Sequence, residues 1–358
     1  MIKVCHMTSA HGAEDVRIFH KECVSLANAG YEVYEVARGE SYDKNGVHIV
    51  GVGDIPKSRR KRMTEGAKRV YQAALELDCD IYHFHDPELL PYGLKLKEHG
   101  KKVIFDSHEE LPAQIMEKGW IPKYLRPLVS KLAITYELLV TSKIDAVVSA
   151  TPHIKNIFEN KCSKVCAICN YPILSEICMF ETTFGSRERI LCYTGSHIQP
   201  GLIENMSRAI ENIDATFVVA GDHKVEENGK IKFVGRLSRP EISKLYSQSM
   251  IGIQLGRKTP NGERSLPIKI FEYMAAGLPS IIKDYEYFKE TFENKGISIC
   301  VDPENVDEIA NAIRYLLDNP EEARRMGENG RRAVEQEFNW SVEEKKLLKL
   351  YEELARER

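Results

Sequence analysis

Three side chains in the segment SLPIKIFEYMAAGLPSIIK (265–283) could together bind a nucleotide diphosphate. In a helix, Ser265, Lys269 and Glu272 lie at i, i+4 and i+7, and so they share one stripe. The N–H groups of a helix start and the lysine ammonium suit phosphate oxygens, and a carboxylate two turns into the helix suits ribose hydroxyls. An ordinary surface helix that carries a solvated Lys–Glu pair would show the same local pattern.

The residues around this stripe predict a short helix followed by a buried strand. Ser265 is a favourable N-cap, and Pro267 falls in the first turn, where its missing N–H has no cost. Gly277 followed by Pro279 is typical of a helix end, and the apolar run that comes next predicts the strand. A nucleotide would then meet the start of a helix beside the edge of a sheet.

Short apolar strands alternate with amphipathic helices along almost the whole chain, which predicts parallel sheets covered by helices on both faces. Two sets of about six strands, separated by the strand-poor segment 170–188, predict two Rossmann-like domains of the α/β class. The helix predicted over 15–30 has one apolar face, formed by Val16, Phe19, Cys23 and Leu26.

The composition is that of a globular protein, with 43% hydrophobic and 29% charged residues in a chain of 358. This length fits two domains of ordinary size. The net charge of −3 argues against a nucleic-acid-binding protein. We expect a cytoplasmic protein, because no apolar run is long enough for a membrane span and the first residues lead directly into a strand. The nine cysteines lie scattered in apolar stretches, as reduced core thiols do.

Polar residues follow several of the predicted strands, at the edge where open α/β sheets bind ligands. In the first half these residues are His11, Gly12, His83, His85, Asp86, His108 and Glu109. In the second half they are Gly195, Ser196 and Arg236, followed by the segment that contains Ser265, Leu266, Lys269 and Glu272. A zinc site formed by His83, His85 and His108 is one alternative, because alternating residues of a strand share a face. Histidines at strand ends more often form hydrogen bonds, and we expect no metal.

The segment KIFEYMAAGLP resembles the nucleotide-sugar-binding helix of GT-B glycosyltransferases of the family 4 type (bacterial glycosyl transferase group 1). The segments HGAEDVRIF, HFHDPELLP and FDSHEE extend this resemblance over nearly the whole chain. It implies a GT-B fold, with two Rossmann-like doubly wound parallel-sheet domains that face each other across a cleft. The acceptor-side domain would be residues 1–170, with the helix 341–358 packing back on it, and the donor-binding domain would be residues 171–340.

The resemblance also implies roles for individual residues. Glu272 takes the place of the second Glu in the family's E-x7-E motif, whereas the first would fall on Arg264, with Glu263 one residue early. The donor-binding residues would be Gly12, Gly195, Ser196, Arg236, Ser265, Leu266, Lys269 and Glu272. The acceptor-side residues would be His11, His83, His85, Asp86 and Glu109. His108 would hold a hydroxyl of the transferred sugar or help to deprotonate the acceptor, so that His108 and Glu272 are the expected catalytic residues.

The implied reaction moves a sugar, with retention of anomeric configuration, from a nucleotide diphosphate sugar to a hydroxyl of a glycan or lipid-linked acceptor. UDP is the expected nucleotide, no metal or cofactor is required, and the pathway would be bacterial surface polysaccharide or glycolipid biosynthesis. Two other functions stay open: a non-hydrolysing UDP-N-acetylhexosamine 2-epimerase of the same fold, and a catalytically inactive nucleotide-sugar-binding scaffold. The missing first Glu favours the scaffold, whereas turnover of a UDP-sugar without an acceptor would identify the epimerase.

Two segments suggest contact with a membrane surface. Residues 56–69 (PKSRRKRMTEGAKR) hold seven basic residues against a single acid, Glu65. Residues 116–131 mix Trp120 and Tyr124 with basic residues, which is typical of an interfacial anchor. Each basic residue near anionic lipid contributes about 1 kcal/mol. We therefore expect a peripheral protein at the inner face of the cell membrane; a solvated helix face and an ordinary buried loop would explain the same residues.

Overall fold

The computed structural model of the protein describes residues 1–55, 58–177, 183–195, 198, 201–222, 229–263 and 265–357. The chain forms two compact units. The N-terminal unit consists of residues 1–170 and 341–358, and the C-terminal unit consists of residues 171–340. Each unit is built around one β-sheet that is mainly or entirely parallel, so the predicted α/β class is confirmed.

The sheet of the N-terminal unit has eight strands in the order β3-β4-β2-β1-β5-β6-β7-β8. These are β1 (Lys3–Gly12), β2 (Glu32–Arg38), β3 (Tyr42–Lys44), β4 (Val47–Gly51), β5 (Ile81–Phe84), β6 (Lys102–Ser107), β7 (Ala146–Ser149) and β8 (Val165–Ala167). The pairing of β3 with β4 is antiparallel, and the other neighbours are parallel. The edge strands β3 and β8 have only three residues each, which is too few to show a clear alternation in the sequence.

Helices and the sheet enclose the core of the N-terminal unit, in which Met7, Tyr82, Phe84 and Phe105 are among the buried side chains. The α-helices are α1 (Val24–Asn28), α2 (Arg59–Lys61), α3 (Ala67–Glu76), α4 (Leu90–Glu98), α5 (Leu111–Glu117), α6 (Arg126–Thr141) and α7 (Pro152–Phe158). Two π-helical segments (Val16–Cys23 and Arg62–Gly66) and two 3-10 segments (Pro87–Leu89 and Lys123–Leu125) complete the unit.

The sheet of the C-terminal unit has six parallel strands in the order β11-β10-β9-β12-β13-β14. The strands are β9 (Ile190–Thr194), β10 (Thr216–Ala220), β11 (Ile231–Gly235), β12 (Ile251–Gln254), β13 (Ser280–Lys283) and β14 (Ser298–Val301). The α-helices are α8 (Leu174–Ile177), α9 (Leu202–Ala209), α10 (Arg239–Gln248), α11 (Pro260–Glu263), α12 (Ile268–Ala275), α13 (Glu286–Phe288), α14 (Val306–Asp318) and α15 (Pro320–Gln336). A 3-10 segment (Phe184–Ser186) and a π-helical segment (Lys289–Glu293) also lie in this unit.

The last helix, α16 (Trp340–Arg356), belongs to the N-terminal unit from Ser341 onwards. Its Tyr351 is fully buried there, and the Tyr351 hydroxyl lies 2.9 Å from Nδ1 of His83 and 3.2 Å from Nε2 of His6. A residue near the end of the chain therefore completes the interior of a unit that begins with β1.

Helix α12 begins two residues later than the sequence predicts. Its N-cap is Pro267 and has no side-chain hydrogen bond, whereas the hydroxyl of Ser265 donates to the carbonyl oxygen of Gly262 at 3.0 Å. The prediction of Ser265 as the N-cap is therefore wrong, because a hydroxyl that bonds backwards cannot cap the helix that follows. The predicted end is confirmed: Gly277 has a φ of 60°, a left-handed conformation that favours glycine, and its N–H donates to Met274.

The helix predicted over 15–30 is π-helical from Val16 to Cys23 and α-helical from Val24 to Asn28. Phe19 and Cys23 are buried as predicted, but Val16 is exposed. Three charged side chains of this helix are instead buried, namely those of Arg17, Lys21 and Glu22. The eight cysteines that the structure describes are all free, and no described helix is long and apolar enough to cross a bilayer.

Candidate functional site

Glu272 of helix α12 is held by two side chains of helix α10. Its Oε1 accepts a hydrogen bond from Nη1 of Arg239 at 2.8 Å, and its Oε2 accepts one from the Tyr246 hydroxyl at 2.9 Å. The residue is only 4% exposed. Burial alone would lower the pKa of Arg239, but the carboxylate of Glu272 raises it above its ordinary value. A carboxylate offers about four acceptor positions, so Glu272 keeps acceptor capacity beyond these two bonds.

Lys269, one turn before Glu272, lies against the end of strand β9. Its ammonium is 5.1 Å from the centre of the Tyr193 ring. A Cβ atom built on Gly195 would come within 3.0 Å of Cε and 3.1 Å of Nζ of this lysine, so the absence of a side chain at Gly195 makes room for it. Burial lowers the pKa of Lys269, against the opposing effect of Glu272. The structure therefore brings together Gly195, Lys269 and Glu272 at the carboxyl end of a parallel sheet.

The other predicted residues of the C-terminal unit do not join this group. The side chain of Arg236 is 81% exposed, and its Nε lies 4.0 Å from the carboxylate of Asp222. Ser265 and Leu266 precede helix α12 in a half-buried turn. Ser196 lies outside the residues that the structure describes.

Sequence reasoning missed Arg239 and Tyr246, although a signal was present. The two residues are seven apart on one helix and therefore lie on the same stripe, by the rule that pairs Ser265 with Glu272. The segment Ser238-Arg239-Pro240-Glu241 forms a capping box that begins this helix, with the N–H of Ser238 donating to Glu241 at 2.8 Å.

In the N-terminal unit, His108 and His11 form a partly exposed pair of rings. Their centroids are 5.2 Å apart. Nε2 of His108 lies 3.0 Å from Oδ2 of Asp106, and Nδ1 of His11 lies 3.3 Å from Asp15. The hydrogen bond to Asp15 raises the pKa of His11 above its ordinary value. Each histidine thus has a carboxylate on one side, which orients its ring.

The buried carboxylate of Asp86 holds the end of strand β1 through hydrogen bonds. The residue is buried, and its Oδ2 accepts hydrogen bonds from the Thr8 hydroxyl at 2.8 Å and from the N–H groups of Ser9 and Ala10 at 2.7 and 3.2 Å. Oδ2 of this carboxylate therefore holds the strand that carries His11, and Oδ1 lies 3.7 Å from Nε2 of His11. The predicted acceptor-side role of Asp86 is not supported by these contacts.

The remaining predicted residues of this unit differ widely in exposure. Glu109 is exposed and accepts a hydrogen bond from Gln114. Gly12 ends strand β1 opposite Arg38, and a Cβ built on it would lie 3.8 Å from that guanidinium, which is ordinary contact. His83 and His85 are buried in the interior, so the prediction that they line the acceptor side is contradicted by their burial.

Asp106 lies between the buried His85 and the partly exposed His108. Its two carboxylate oxygens accept hydrogen bonds from Nε and Nη2 of Arg17 at 2.7 and 2.8 Å, and Oδ2 also lies 3.1 Å from Nδ1 of His85. Burial would raise the pKa of Asp106, but Arg17 and the histidine His108 hold it well below its usual range. Arg17 and Glu22 were not among the predicted site residues, because hydrophobic periodicity assigns charged positions to the solvent.

Two family models match the chain and together cover most of it. Residues 17–170 match a model described as Glycosyltransferase Family 4. Residues 199–349 match a model described as Glycosyl transferase-like. The first match contains Arg17, which is buried, and His108, which is partly exposed. The second match contains Lys269 and Glu272.

Proteins of similar sequence include two mannosyltransferases. The chain is 34% identical over 117 residues to MMP alpha-(1->4)-mannosyltransferase of Mycolicibacterium hassiacum, which is 32% of this chain but only 27% of that protein's length. It is 21% identical over 300 residues to phosphatidyl-myo-inositol mannosyltransferase of Mycobacterium leprae, covering 80% of this chain and 77% of that protein.

Solved structures of similar fold include sucrose-phosphate synthase from Thermosynechococcus elongatus, with a TM-score of 0.76, 17% identity and full coverage of both chains. A glycosyltransferase from Rickettsia africae gives a TM-score of 0.75 at 18% identity, covering 100% of this chain and 99% of that chain. Anabaena HepE, in complex with UDP and glucose, gives 0.71 at 12% identity, covering 99% and 100%. At these identities the likeness establishes the GT-B fold.

Proposed function

We propose that this chain, which is a glycosyltransferase of the family 4 type, transfers a sugar with retention of anomeric configuration from a nucleotide diphosphate sugar. UDP is the proposed nucleotide, and a hydroxyl of a glycan or lipid-linked molecule is the proposed acceptor. The observation that carries this proposal is the group of Gly195, Lys269 and Glu272 at the carboxyl end of the C-terminal sheet. The complexes of Anabaena HepE with UDP support the choice of nucleotide.

In this proposal the C-terminal unit binds the donor. The Lys269 ammonium faces the diphosphate and stabilises the negative charge that develops on it as the glycosidic bond breaks. The absence of a side chain at Gly195 leaves room for the end of Lys269 at the sheet edge where the diphosphate would bind. Glu272 uses its remaining acceptor capacity for the ribose hydroxyls, while Arg239 and Tyr246 keep its carboxylate oriented. In this proposal the Lys269 ammonium takes the place of a metal ion at the diphosphate.

The N-terminal unit supplies His108 and His11 to the acceptor side. We assign the Nε2 proton of His108 to the bond with Asp106, since that carboxylate is 3.0 Å away. The other ring nitrogen then accepts a hydrogen bond from a sugar hydroxyl or takes the proton of the attacking hydroxyl. Asp86 contributes by holding the end of strand β1, which carries His11.

A thermal-shift titration with UDP, GDP, dTDP and ADP tests the donor site. A ligand that binds only the native state raises the free energy of unfolding by RT ln(1 + [L]/Kd), so even weak binding is visible at millimolar concentration. We expect UDP to stabilise the wild type, Lys269→Met to lose most of that shift, and the exposed Lys244→Ala on helix α10 to keep it. Equal shifts in wild type and Lys269→Met would refute the assignment of Lys269.

The alternative functions are separated by turnover. A UDP-sugar that is consumed only when a glycan or glycolipid hydroxyl is present supports the transferase. Conversion of UDP-N-acetylhexosamine alone to its 2-epimer would identify an epimerase, and nucleotide binding without any turnover would identify an inactive scaffold. The anomeric configuration of the product, read by NMR, decides retention.

We also propose that the N-terminal unit rests on the anionic inner surface of the cell membrane, where a lipid-linked acceptor would be found. Large apolar side chains are exposed along α5, α6 and the turn between them: Met116, Trp120, Tyr124, Leu125, Leu128, Leu132, Tyr136 and Leu139. The guanidinium of Arg59 lies 4.7 Å from the centre of the Trp120 ring, so the exposed basic residues from Arg59 onwards adjoin this apolar surface. Lys57 lies outside the described residues.

Sedimentation with lipid vesicles tests this surface. We expect the protein to bind vesicles that contain phosphatidylglycerol and to be released by salt, since the basic residues act through screened charge. Leu128→Asp should weaken binding to these vesicles, whereas Tyr315→Ala, which alters an exposed aromatic residue of the C-terminal unit, should not. Binding that is equal for neutral and anionic vesicles would contradict the electrostatic part of the proposal.

A further inference from the structure

Four side chains with metal-binding atoms meet in the interior of the N-terminal unit. His6, Glu22, His83 and His85 each place one ligand atom within 4.8 Å of the others, and all four residues are buried. His6 on β1 is in register with His83 on β5, and His85 follows two residues later, on the same face. Glu22 comes from the π-helical segment Val16–Cys23.

The inward-facing atoms are spaced as ligands of one ion would be. Nδ1 of His6 lies 3.0 Å from Nε2 of His85, and Oε2 of Glu22 lies 3.8 Å from Nδ1 of His6 and from Nδ1 of His83. Tetrahedral zinc with bonds of about 2.0–2.1 Å places its ligand atoms about 3.3 Å apart. Small side-chain adjustments would therefore centre an ion between these atoms.

The outward-facing nitrogens of two of these histidines already have partners. Nδ1 of His85 lies 3.1 Å from Asp106, and Nε2 of His6 lies 3.2 Å from the Tyr351 hydroxyl. Metal-bound histidines usually donate their second N–H to a carboxylate or another oxygen in this way. If both rings donate outwards, two nitrogen lone pairs face each other at 3.0 Å, and a cation between them removes the repulsion.

The carboxylate of Glu22 points to the same conclusion. Both of its oxygens are buried and have no hydrogen-bond partner among the residues that the structure describes. Nε of Arg17 lies 3.2 Å from Oε1 of Glu22, but the shorter bonds of that guanidinium go to Asp106. Burying a carboxylate without hydrogen bonds is costly, and a coordinated cation offsets that cost.

We propose that His6, Glu22, His83 and His85 bind one divalent transition-metal ion, with zinc as the expected ion. Three imidazoles and one carboxylate suit zinc, and a site with four buried protein ligands and no access to solvent is of the structural kind. The ion would join β1, β5 and the π-helical segment, and through Tyr351 it would steady helix α16. This proposal does not depend on the proposed function, since no reaction step passes through the ion.

The test measures metal content and cobalt spectra rather than activity. The protein is purified without a polyhistidine tag, and its metals are determined by mass spectrometry before and after treatment with a chelator. We expect one zinc ion per chain, loss of thermal stability on stripping, and recovery when Zn²⁺ is added. Co²⁺ in the same site should give the intense visible bands of tetrahedral coordination.

Variants assign the site to these residues. Glu22→Gln keeps the size of the side chain but removes its charge, and we expect its Zn²⁺ affinity to fall by at least about 100-fold. Tyr351→Phe keeps all four ligands and removes the hydroxyl beside Nε2 of His6 and Nδ1 of His83, for which a loss of about tenfold is expected. The control is His48→Asn, which alters the exposed pair of His48 with Asp43 and should bind zinc normally.

Two results would overturn the proposal. One is wild-type protein that holds no stoichiometric metal and takes up neither Zn²⁺ nor Co²⁺ after stripping. The other is zinc affinity that is unchanged in both Glu22→Gln and Tyr351→Phe. If Glu22→Gln does not fold, the wild-type titration and Tyr351→Phe still decide. The UDP titration reports on the C-terminal unit and is read separately.

Discussion

The two units differ in how completely their buried charged residues are shielded from solvent. In the C-terminal unit, Glu272 is paired with Arg239, whose side chain is still 32% exposed, so the pair lies at the boundary with solvent. In the N-terminal unit, Arg17 and Asp106 are fully enclosed together with histidines from neighbouring strands. A charge near solvent remains available to a ligand, whereas an enclosed charge orients other groups. The comparison indicates that the charged groups of the N-terminal unit lie in its interior and position neighbouring side chains. Those of the C-terminal unit lie at the boundary with solvent, where a ligand can reach them.

The largest effect is expected where the enclosed pair is broken. Arg17→Ala leaves the carboxylate of Asp106 buried without its two guanidinium bonds, and removal of one partner of such a pair costs about 3–5 kcal/mol. Urea unfolding followed by circular dichroism measures this loss. Arg17→Lys keeps the charge but not the two-pronged geometry and should lose less. If Arg17→Ala lost less free energy of unfolding than Arg239→Met, the proposed difference between the two units would be contradicted.

Glu137 of helix α6 extends the comparison because it is buried and no cation among the described residues pairs with it. Burial raises the pKa of Glu137 to about 8 from an ordinary value near 4.5. The folded state therefore holds a proton that the unfolded state releases above pH 4.5, and stability falls as the pH rises towards 8. Glu137→Gln removes this linkage, so the variant should exceed the wild type by about 1 kcal/mol at pH 5 and about 3 kcal/mol at pH 7.

Unfolding curves at several pH values check this prediction. Glu272→Gln is the matched control, because its carboxylate is paired with Arg239 and its replacement should destabilise the protein. A Glu137→Gln variant whose advantage does not grow between pH 5 and pH 7 would show that Glu137 is ionised in the folded state.

At the rim of the C-terminal unit, a smaller effect is expected from Arg239→Met. Loss of the guanidinium leaves Oε1 of Glu272 without its bond at a nearly buried position, at a cost of about 2 kcal/mol. Arg236→Met alters an arginine that is 81% exposed and should change stability by less than about 0.5 kcal/mol. Chemical unfolding of the two variants side by side measures the difference in free energy of unfolding. Equal losses would show that Arg239 contributes no more to stability than an exposed arginine does.

The smallest effect is expected from Gly195→Ala, which tests the close approach at the sheet edge. The added Cβ would meet the flexible end of Lys269 at 3.0–3.1 Å, so the lysine shifts rather than the backbone. We expect stability to change little and UDP binding to weaken about tenfold, which corresponds to about 1.4 kcal/mol. Calorimetric titration measures the affinity, with Gly185→Ala as the control, since a Cβ there meets open space.

Local patterns predicted the elements well and the assembled site less well. The alternation of strands and helices predicted the α/β class, and the resemblance of KIFEYMAAGLP to a known helix led to the family. Gly277 correctly predicted the end of helix α12, because a left-handed residue there is a local requirement. The start was wrong, because the hydroxyl of Ser265 has a second acceptor available, the carbonyl of Gly262, which sequence does not reveal.

Grouping by spacing also has a clear limit. The zinc alternative joined His83, His85 and His108, since all three follow neighbouring strands. In the structure His108 is partly exposed beside His11 but stays next to His85, with its Nε2 3.2 Å from Nδ1 of His85, while His6 and Glu22 gather with His83 and His85 in the interior. Strand spacing indicates which side chains share a face, but the packing of a helix over that face decides which of them are covered.

By itself, the sequence determined the order of most strands and helices and the stripe of Lys269 and Glu272, because these depend on neighbours within two turns or on alternation along one strand. The tertiary structure decided that Arg17, Glu22 and Tyr351 are buried, because the segment Val16–Cys23 and helix α16 are far apart in the chain and both contact the histidines of β1 and β5 only in the folded unit. When a helix is buried on two faces, its sequence periodicity does not show which charged residues lie in the core and which lie in solvent. That depends on the residues of the elements that pack against the helix.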